Sequence, residues 1–300
     1  MHNYIQLFPN AAGFYPHIIH KITGYLGYGV ELTAEVNMGP TLEQVLSWVK
    51  EAAVMAQQMR NEGLEVRHKS KADLVTAADT AIEAFMIEKV QTHFPGHSVN
   101  AEETGQHVGD NDHEWFIDPI DGTLNYAHGL PQYAISVAYA YKGELQLGII
   151  ANPPMQEFFY AEAGKGAWLN GKPIRVSETH ELIDSMLITG FRYNLLDTPR
   201  SNIGNFIRLS HEVQAVRRLG SASLDLAYVA CGRVEGFWEI ALNPWDVAAG
   251  ILLIREAGGV VSTLHGEGHL LKGSVDILAA NPIIFPKLQT ILNEENAKSL

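Results

Sequence analysis

One cysteine, Cys231, is all that the 300 residues contain. A single thiol excludes an internal disulfide and any cysteine-based metal cluster. It follows Leu224-Asp225-Leu226-Ala227-Tyr228-Val229-Ala230, an apolar helical stretch, so a buried structural thiol is expected over a catalytic one. Long hydrophobic runs are also missing, and none is long enough to cross a bilayer. Basic residues are in deficit: 21 Lys and Arg face 34 Asp and Glu, a formal charge of −13. That balance argues against nucleic acid, whose binders neutralise phosphates with Lys and Arg. The N-terminus lacks the basic start, apolar centre and small-residue cleavage site of a secretory signal, so a cytoplasmic protein is expected.

What is present is ordinary for a globular chain: 46% apolar and 18% charged residues. The length allows one large domain or two closely packed halves, near 41–180 and 181–300. Residues 1–40 differ from the rest. They hold scattered aromatics and glycines without a sustained period, and read as an extension of unknown structure. Their glycine spacing does not match a dinucleotide fingerprint. Met38 is an alternative start, because regular patterning begins just after it.

From Thr41 the pattern sharpens. Leu42, Val45, Trp48, Val49, Ala52 and Ala53 recur at helical spacing, predicting a helix to about Arg60. Thr76 and Asp79 have capping-box spacing, and Ile82, Phe85, Met86 and Val90 supply an apolar face until Pro95-Gly96. Strands are expected at 115–117, 133–141, 145–151, 158–160, 167–169, 174–176 and 186–190. Asn170-Gly171 is a hairpin signal, because both residues tolerate positive φ. Helices are expected at 223–232 and 248–257. Strands and helices mix without a strict βαβ rhythm or internal repeats, which points to layered sheets and helices.

The most informative stretch is Glu114-Trp115-Phe116-Ile117-Asp118-Pro119-Ile120-Asp121-Gly122-Thr123. A short buried strand runs into two carboxylates three apart. In a straight strand those would face opposite sides. Pro119 is poor strand material and bends the chain so that both converge. Gly122 permits close backbone approach, and a helix starting at Thr123 would offer free amides to an anion. Each acid also has a plainer reading: a turn for Asp118–Asp121, a solvated loop for Glu102-Glu103, a capping box for Asp79, a helix N-cap for Asp246. Together they suit a hard cation such as Mg²⁺ or Mn²⁺ better than zinc. Such cations would let an acidic protein hold a phosphate ester.

With these motifs the chain resembles the inositol monophosphatase family, bacterial members most closely. Asp118-Pro119-Ile120-Asp121-Gly122-Thr123-Leu124-Asn125-Tyr126 resembles the family's first signature, and Pro244-Trp245-Asp246-Val247-Ala248-Ala249-Gly250 its second. Asp73-Leu74-Val75-Thr76 through Asp79, Glu102-Glu103 and Gly220-Ser221-Ala222 follow the family's order. The similarity runs from about Thr41 to the C-terminus. Ala101 and Leu124 depart from the commoner Gly and Thr, and neither is a ligand position. The resemblance implies an αβαβα sandwich of the inositol monophosphatase and fructose-1,6-bisphosphatase type, a homodimer, and lithium sensitivity.

It further implies two to three Mg²⁺ ions, with Mn²⁺ as an alternative. Glu102, Asp118 and the Ile120 carbonyl would hold the first, and Asp118, Asp121 and Asp246 the second. Glu102 would also serve a weaker third. Thr123, oriented by Asp79, would position and deprotonate the attacking water. The amides of Gly122 and Thr123 would hold phosphate. Asp121, Gly220, Ser221, Ala222, Glu239 and Asp246 would line the side of the substrate alcohol, with Phe191-Arg192-Tyr193 shaping the pocket. The expected partner is a small phosphorylated metabolite, with no nucleic acid or membrane. Myo-inositol monophosphate leads, followed by histidinol phosphate, fructose 1,6-bisphosphate and 3′-phosphonucleotides. Two rivals stand beside this reading. One is an aspartyl-phosphate phosphatase, whose Asp-x-Asp-Gly-Thr has one residue fewer between the acids. The other is a non-catalytic metal- or phosphate-binding regulator.

Overall fold

The computed structural model describes residues 22–26, 30–34, 39–63, 66–68, 74–191, 201–266 and 268–296. Asp73, Arg192 and Tyr193 therefore lie outside the described residues. In chain order the elements are β1 (Ile22–Leu26), β2 (Val30–Ala34), α1 (Leu42–Glu62), β3 (Val66–His68), β4 (Leu74–Thr76), α2 (Ala77–His93), β5 (His97–Ala101), β6 (Gly105–His107), β7 (Asp110–Asp121) and α3 (Thr123–His128). There follow β8 (Ala134–Tyr141), β9 (Glu144–Asn152), β10 (Glu157–Glu162), β11 (Ala167–Leu169), β12 (Lys172–Ile174), β13 (Met186–Thr189) and α4 (Ile203–Glu212). The chain closes with β14 (Ala215–Arg217), α5 (Ala222–Ala230), β15 (Gly236–Leu242), α6 (Pro244–Glu256), β16 (Val260–Thr263), β17 (Val275–Ala280) and α7 (Phe285–Asn296).

Packing divides the chain into Met1–Val45 and Leu46–Leu300. In the first unit, β1 and β2 pair as an antiparallel hairpin, Ile22 opposite Ala34 and Leu26 opposite Val30. The glycines in and around these strands blur any alternation, so the hairpin carried no sequence signal.

The second unit holds an eight-stranded sheet in the order β12-β11-β10-β9-β8-β7-β5-β6 and a five-stranded sheet in the order β14-β13-β15-β17-β16. Helices α5 and α6 fill the space between them. Phe116, Ala138 and Ile150 of the first sheet share one core with Leu226, Ala249 and Leu253 of the helices and Phe237 and Ile277 of the second sheet. The outer face of the second sheet packs Leu187, Trp238 and Leu278 on Leu209 of α4 and Leu288 and Leu292 of α7. On the outer face of the first sheet, Trp115 of β7 meets Trp48 of α1 at 6.2 Å between ring centroids. Five layers result, helix and sheet alternating, as the family resemblance implies. The sheets form because their strands alternate side chains between two helix-covered faces.

Local signals act as expected. Asn170 (φ 49) and Gly171 (φ 80) link Leu169 to its partner Lys172 in a two-residue hairpin. Strand β12 closes at Ile174, short of the expected Val176, because the Val176 amide turns away to the Ala257 carbonyl at 3.2 Å. Helix α6 starts earlier than its apolar run, since Pro244 suits a first turn that needs no N–H donor.

The Trp48 face also holds a histidine pair. The rings of His97 and His113 stack at 4.2 Å. Trp115 Nε1 donates to His97 Nδ1 at 3.1 Å, and His113 Nδ1 lies 2.6 Å from Tyr139 Oη. Burial, then the charge on His113, push His97 down to about 4, with Asp110 opposing. A depressed histidine gives stability that is complete above its unfolded value of 6.5 and is lost as pH falls towards 4. Because His97 is partly exposed, the loss is discounted to about 1–2 kcal/mol. His97→Asn keeps an acceptor for Trp115 but does not titrate. Chemical denaturation at pH 7 and pH 5 should show a shallower pH dependence for this variant than for wild type. Identical slopes would discount His97 as the titrating group.

Candidate active site

The site is built on the end of β7. Its ladder with β8 pairs Asp118 with Ser136 and Asp121 with Ala134. Three residues on one strand therefore span two on the other, which is a β-bulge. The extra residue cancels the alternation, so Asp118 and Asp121 emerge on the same face. This is how the bend at Pro119 is realised: the ring lacks the N–H that a bulge would leave unpaired. Gly122 (φ 89) then turns the chain into α3. A Cβ at Gly122 would lie 3.0 Å from both Gln132 O and Gly220 O. Only glycine lets the β7–α3 turn touch the segment before α5. Asn125 fastens that contact, its Nδ2 donating to Gln132 O at 2.6 Å and Leu219 O at 2.8 Å.

Asp121 is held by the start of α5. Its Oδ2 accepts from Ser221 Oγ at 2.7 Å and from Ser223 N at 2.7 Å, and its Oδ1 from Ala222 N at 3.2 Å. Burial nevertheless outweighs these bonds and raises its carboxyl above the usual range. Asp118 is 1% exposed, and its Oδ1 has no hydrogen-bond partner. Burial, then Glu102, Asp121 and Asp246, drive its carboxyl well upward, and it shares a hydrogen bond with Glu102. Asp246 is raised by burial, then by Asp121, with Glu102 and Glu239 adding to it. The four acids foreseen as metal ligands are thus electrostatic neighbours.

Asp246 corrects one expectation. Asn243 is the N-cap of α6, and Asp246 sits inside the first turn, its Oδ2 accepting from Asn243 N at 2.7 Å. Asp79 occupies the same position in α2. Its Oδ2 accepts from Thr76 N at 2.9 Å, and Thr76 Oγ1 caps the helix in return. The other oxygen, Oδ1, lies 3.1 Å from Thr123 Oγ1, which is also 3.0 Å from Ile120 O. Burial raises Asp79, and its bonds to Thr76 and Thr123 oppose this. The first turns of α2, α5 and α6 therefore each engage one of these acids, where the helix dipole favours negative charge.

Glu239 of β15 lies against Gly190, where a Cβ would run into its carboxylate. Burial and then Asp121 push Glu239 up to about 8, with Arg218 opposing. Gly220 adopts φ 85 beside the Arg218 guanidinium. The structure thus brings Asp79, Glu102, Asp118, Ile120, Asp121, Gly122, Thr123, Gly220, Ser221, Ala222, Glu239 and Asp246 to one end of the layers. Phe191, the residue after Gly190, stacks edge-on against Phe206 at 5.7 Å.

Sequence reasoning missed Asp225. It is 1% exposed, its Oδ1 has no partner, and burial, Glu239 and Asp121 raise it well above the usual range while Arg218 opposes. The available signal was a lone acid inside the apolar run of α5. Ser223 was missed as a ligand of Asp121 for lack of any comparable signal.

The acid cluster fits a hard divalent cation. Its donors are carboxylates and a carbonyl, without sulfur or nitrogen, and a buried oxygen of Asp118 has nothing to bond. Ile120 O keeps a second lone pair beside the one facing Thr123. Among the described residues, no three His, Cys, Asp or Glu side chains already surround a metal-sized point.

Residues 37–298 match the inositol monophosphatase family. An inositol-1-monophosphatase of Synechocystis sp. is 46% identical over 231 residues, 76% of this chain and 80% of that protein. The Nus factor SuhB of Salmonella typhimurium is 41% identical over 240 residues, 80% of this chain and 90% of that protein. The solved inositol monophosphatase of Anabaena (Nostoc) sp. superposes with a TM-score of 0.74 at 44% identity, covering 84% of this chain and 96% of that one. Shared layers, shared sequence and a family match across the second unit lead to one conclusion: the chain belongs to the inositol monophosphatase family and is a phosphoric monoester hydrolase.

Proposed function

We propose that the protein is a Mg²⁺-dependent phosphatase of small sugar-alcohol phosphates, with myo-inositol monophosphate as the preferred substrate. The observation that carries this reading is the bulge in β7, which sets Asp118 and Asp121 on one face beside Glu102 and Asp246. Glu102, Asp118 and Ile120 O would hold one ion, and Asp118, Asp121 and Asp246 another. Bound ions supply charge neutralisation of the phosphate and acidification of water.

The chain's own groups do the rest. Thr123 Oγ1 has one proton to give, and its two acceptors are Asp79 Oδ1 and Ile120 O. Giving it to Asp79 frees a lone pair on Thr123 Oγ1 to take a proton from the attacking water. Burial raises Asp79, which makes it the better proton acceptor. The amides at the start of α3 lack intrahelical carbonyl partners by geometry and would hold the phosphate. Glu239 can pair with a substrate hydroxyl, whose oxygen accepts and whose O–H donates. A polyol suits that pairing, and the likeness to the Synechocystis inositol-1-monophosphatase supports inositol. The Salmonella relative carries a different role, as a Nus factor. The complete acid set and the Thr123–Asp79 pair favour hydrolysis here.

Purified protein should be assayed with Mg²⁺ on myo-inositol 1-phosphate, histidinol phosphate, fructose 1,6-bisphosphate and a 3′-phosphoadenosine nucleotide, with and without Li⁺. The highest kcat/KM is expected on inositol phosphate, with inhibition by Li⁺. A higher value on another substrate would replace the assignment, and no turnover of any would favour the non-catalytic regulator.

A further inference from the structure

We propose that Glu83 is a positioning residue that sets the Glu102 carboxylate for metal binding, an inference that rests on Glu102 being a metal ligand. Glu83 lies on α2 one helical turn after Asp79 and is 1% exposed. Its Oε2 accepts from Glu103 N at 2.7 Å, and its Oε1 from Thr104 N at 2.8 Å. Those amides belong to the turn that begins with Glu102, just past the end of β5.

Glu102 is therefore gripped from two sides. Behind it, its own amide donates to Ile117 O at 3.2 Å, one residue before Asp118. Ahead of it, a buried carboxylate holds the next two amides in a fork. Hydrogen bonds to an ionised acceptor are stronger than neutral ones, and two in parallel fix direction as well as distance. Thr104 Oγ1, 2.6 Å from His107 Nε2, closes the turn. Both oxygens of Glu83 are engaged by these two amides, so Glu83 acts through the turn that carries Glu102.

The spacing on α2 gives the arrangement its use. Residues four apart share a helix face. Asp79 there orients Thr123, and Glu83 orients the turn of Glu102. One rigid helix thus indexes the proton-accepting pair against a metal-binding carboxylate that arrives from a different strand.

The test uses the full chain carrying Glu83→Gln, which keeps the shape but loses one of the two acceptors, beside Glu83→Asp and Glu102→Gln. Mn²⁺ binding is read by electron paramagnetic resonance, and the half-activating Mg²⁺ concentration by turnover of the substrate the wild type prefers. Loss of a residue that orients a ligand weakens metal binding by about 10- to 100-fold. That range is expected for Glu83→Gln, with kcat at saturating Mg²⁺ falling less than affinity does. Glu83→Asp should recover part of the loss. A lowered Tm with Mn²⁺ affinity within about twofold of wild type would mark Glu83 as merely structural and overturn the inference. If Glu102→Gln weakens Mn²⁺ binding and Glu83→Gln does not, the inference fails and the reading of the site survives. If neither does, both fail. Should the Glu83 variants not fold, amide hydrogen exchange of the wild type decides. Protected Glu103 and Thr104 amides support the fork, and exchange at open-loop rates overturns it.

Discussion

Asp118→Asn is expected to abolish turnover and to raise the thermal stability of the metal-free protein. The carboxylate is buried, one of its oxygens is unpartnered, and three other acids press on it. In the absence of a cation it is a source of instability. An amide of the same shape removes the repulsion, and its NH₂ can donate to Glu102. The gain is on the order of 1–2 kcal/mol, about 2–5 °C in Tm for a domain of this size. The sign with pH follows from the raised folded value. Such a group binds more protons folded than unfolded, so its ionisation costs stability as pH climbs past the unfolded value of 3.8. The two proteins should melt together near pH 4 and separate towards neutrality. Excess Mg²⁺ should stabilise the wild type alone by mass action and close the gap. Turnover should fall by about 10³-fold or more, the cost of losing several kcal/mol of charge stabilisation. Turnover equal to wild type would sink the metal assignment.

The second large effect is expected at Asp79. Its two oxygens divide their labour, Oδ2 serving the start of α2 and Oδ1 serving Thr123. Asp79→Asn retains only one oxygen for both tasks and lacks the basicity to take a proton. Turnover should drop by about 10²- to 10⁴-fold, the range for loss of general-base assistance. Stability should fall by only about 1 kcal/mol, the usual cost of a weakened cap. Thr123→Val removes the same relay from its other end. If the pair works as one unit, the double variant should lose little more than either single one in kcat. Fully additive losses would separate Thr123 from Asp79 and require another base.

Much of this was legible in the sequence because local and global signals agreed. The Asn170-Gly171 turn, the Thr76–Asp79 box and the apolar faces of α1, α2, α5 and α6 each announce a structure that tertiary packing keeps. The layered architecture followed from the irregular mixture of strands and helices. Other features rest on partners far along the chain. Strand β6 is Gly-Gln-His and forms only because β5 lies beside it. Helices α4 and α7 gave no expectation, although both cover the second sheet. Glu83 reads as an ordinary helical glutamate until the Glu102 turn folds against it, 20 residues away. The geometry uniting Asp118 and Asp121 was half visible. Spacing showed that a straight strand would fail, and proline marked where it gives way, but the register with β8 could not be counted from one strand alone.

That register ties chemistry to arithmetic. A strand is a binary counter, and every residue added or removed flips all later side chains to the other side. Asp-x-Asp needs no correction, whereas Asp-Pro-Ile-Asp is odd and must be made even. The surplus unit that evens it out lies between the two acids, where the one-to-one register with β8 breaks. The Ile120 oxygen, inside that break, accepts from Thr123. In this stretch the number of residues is as binding as their identity, for a single deletion would misface a carboxylate.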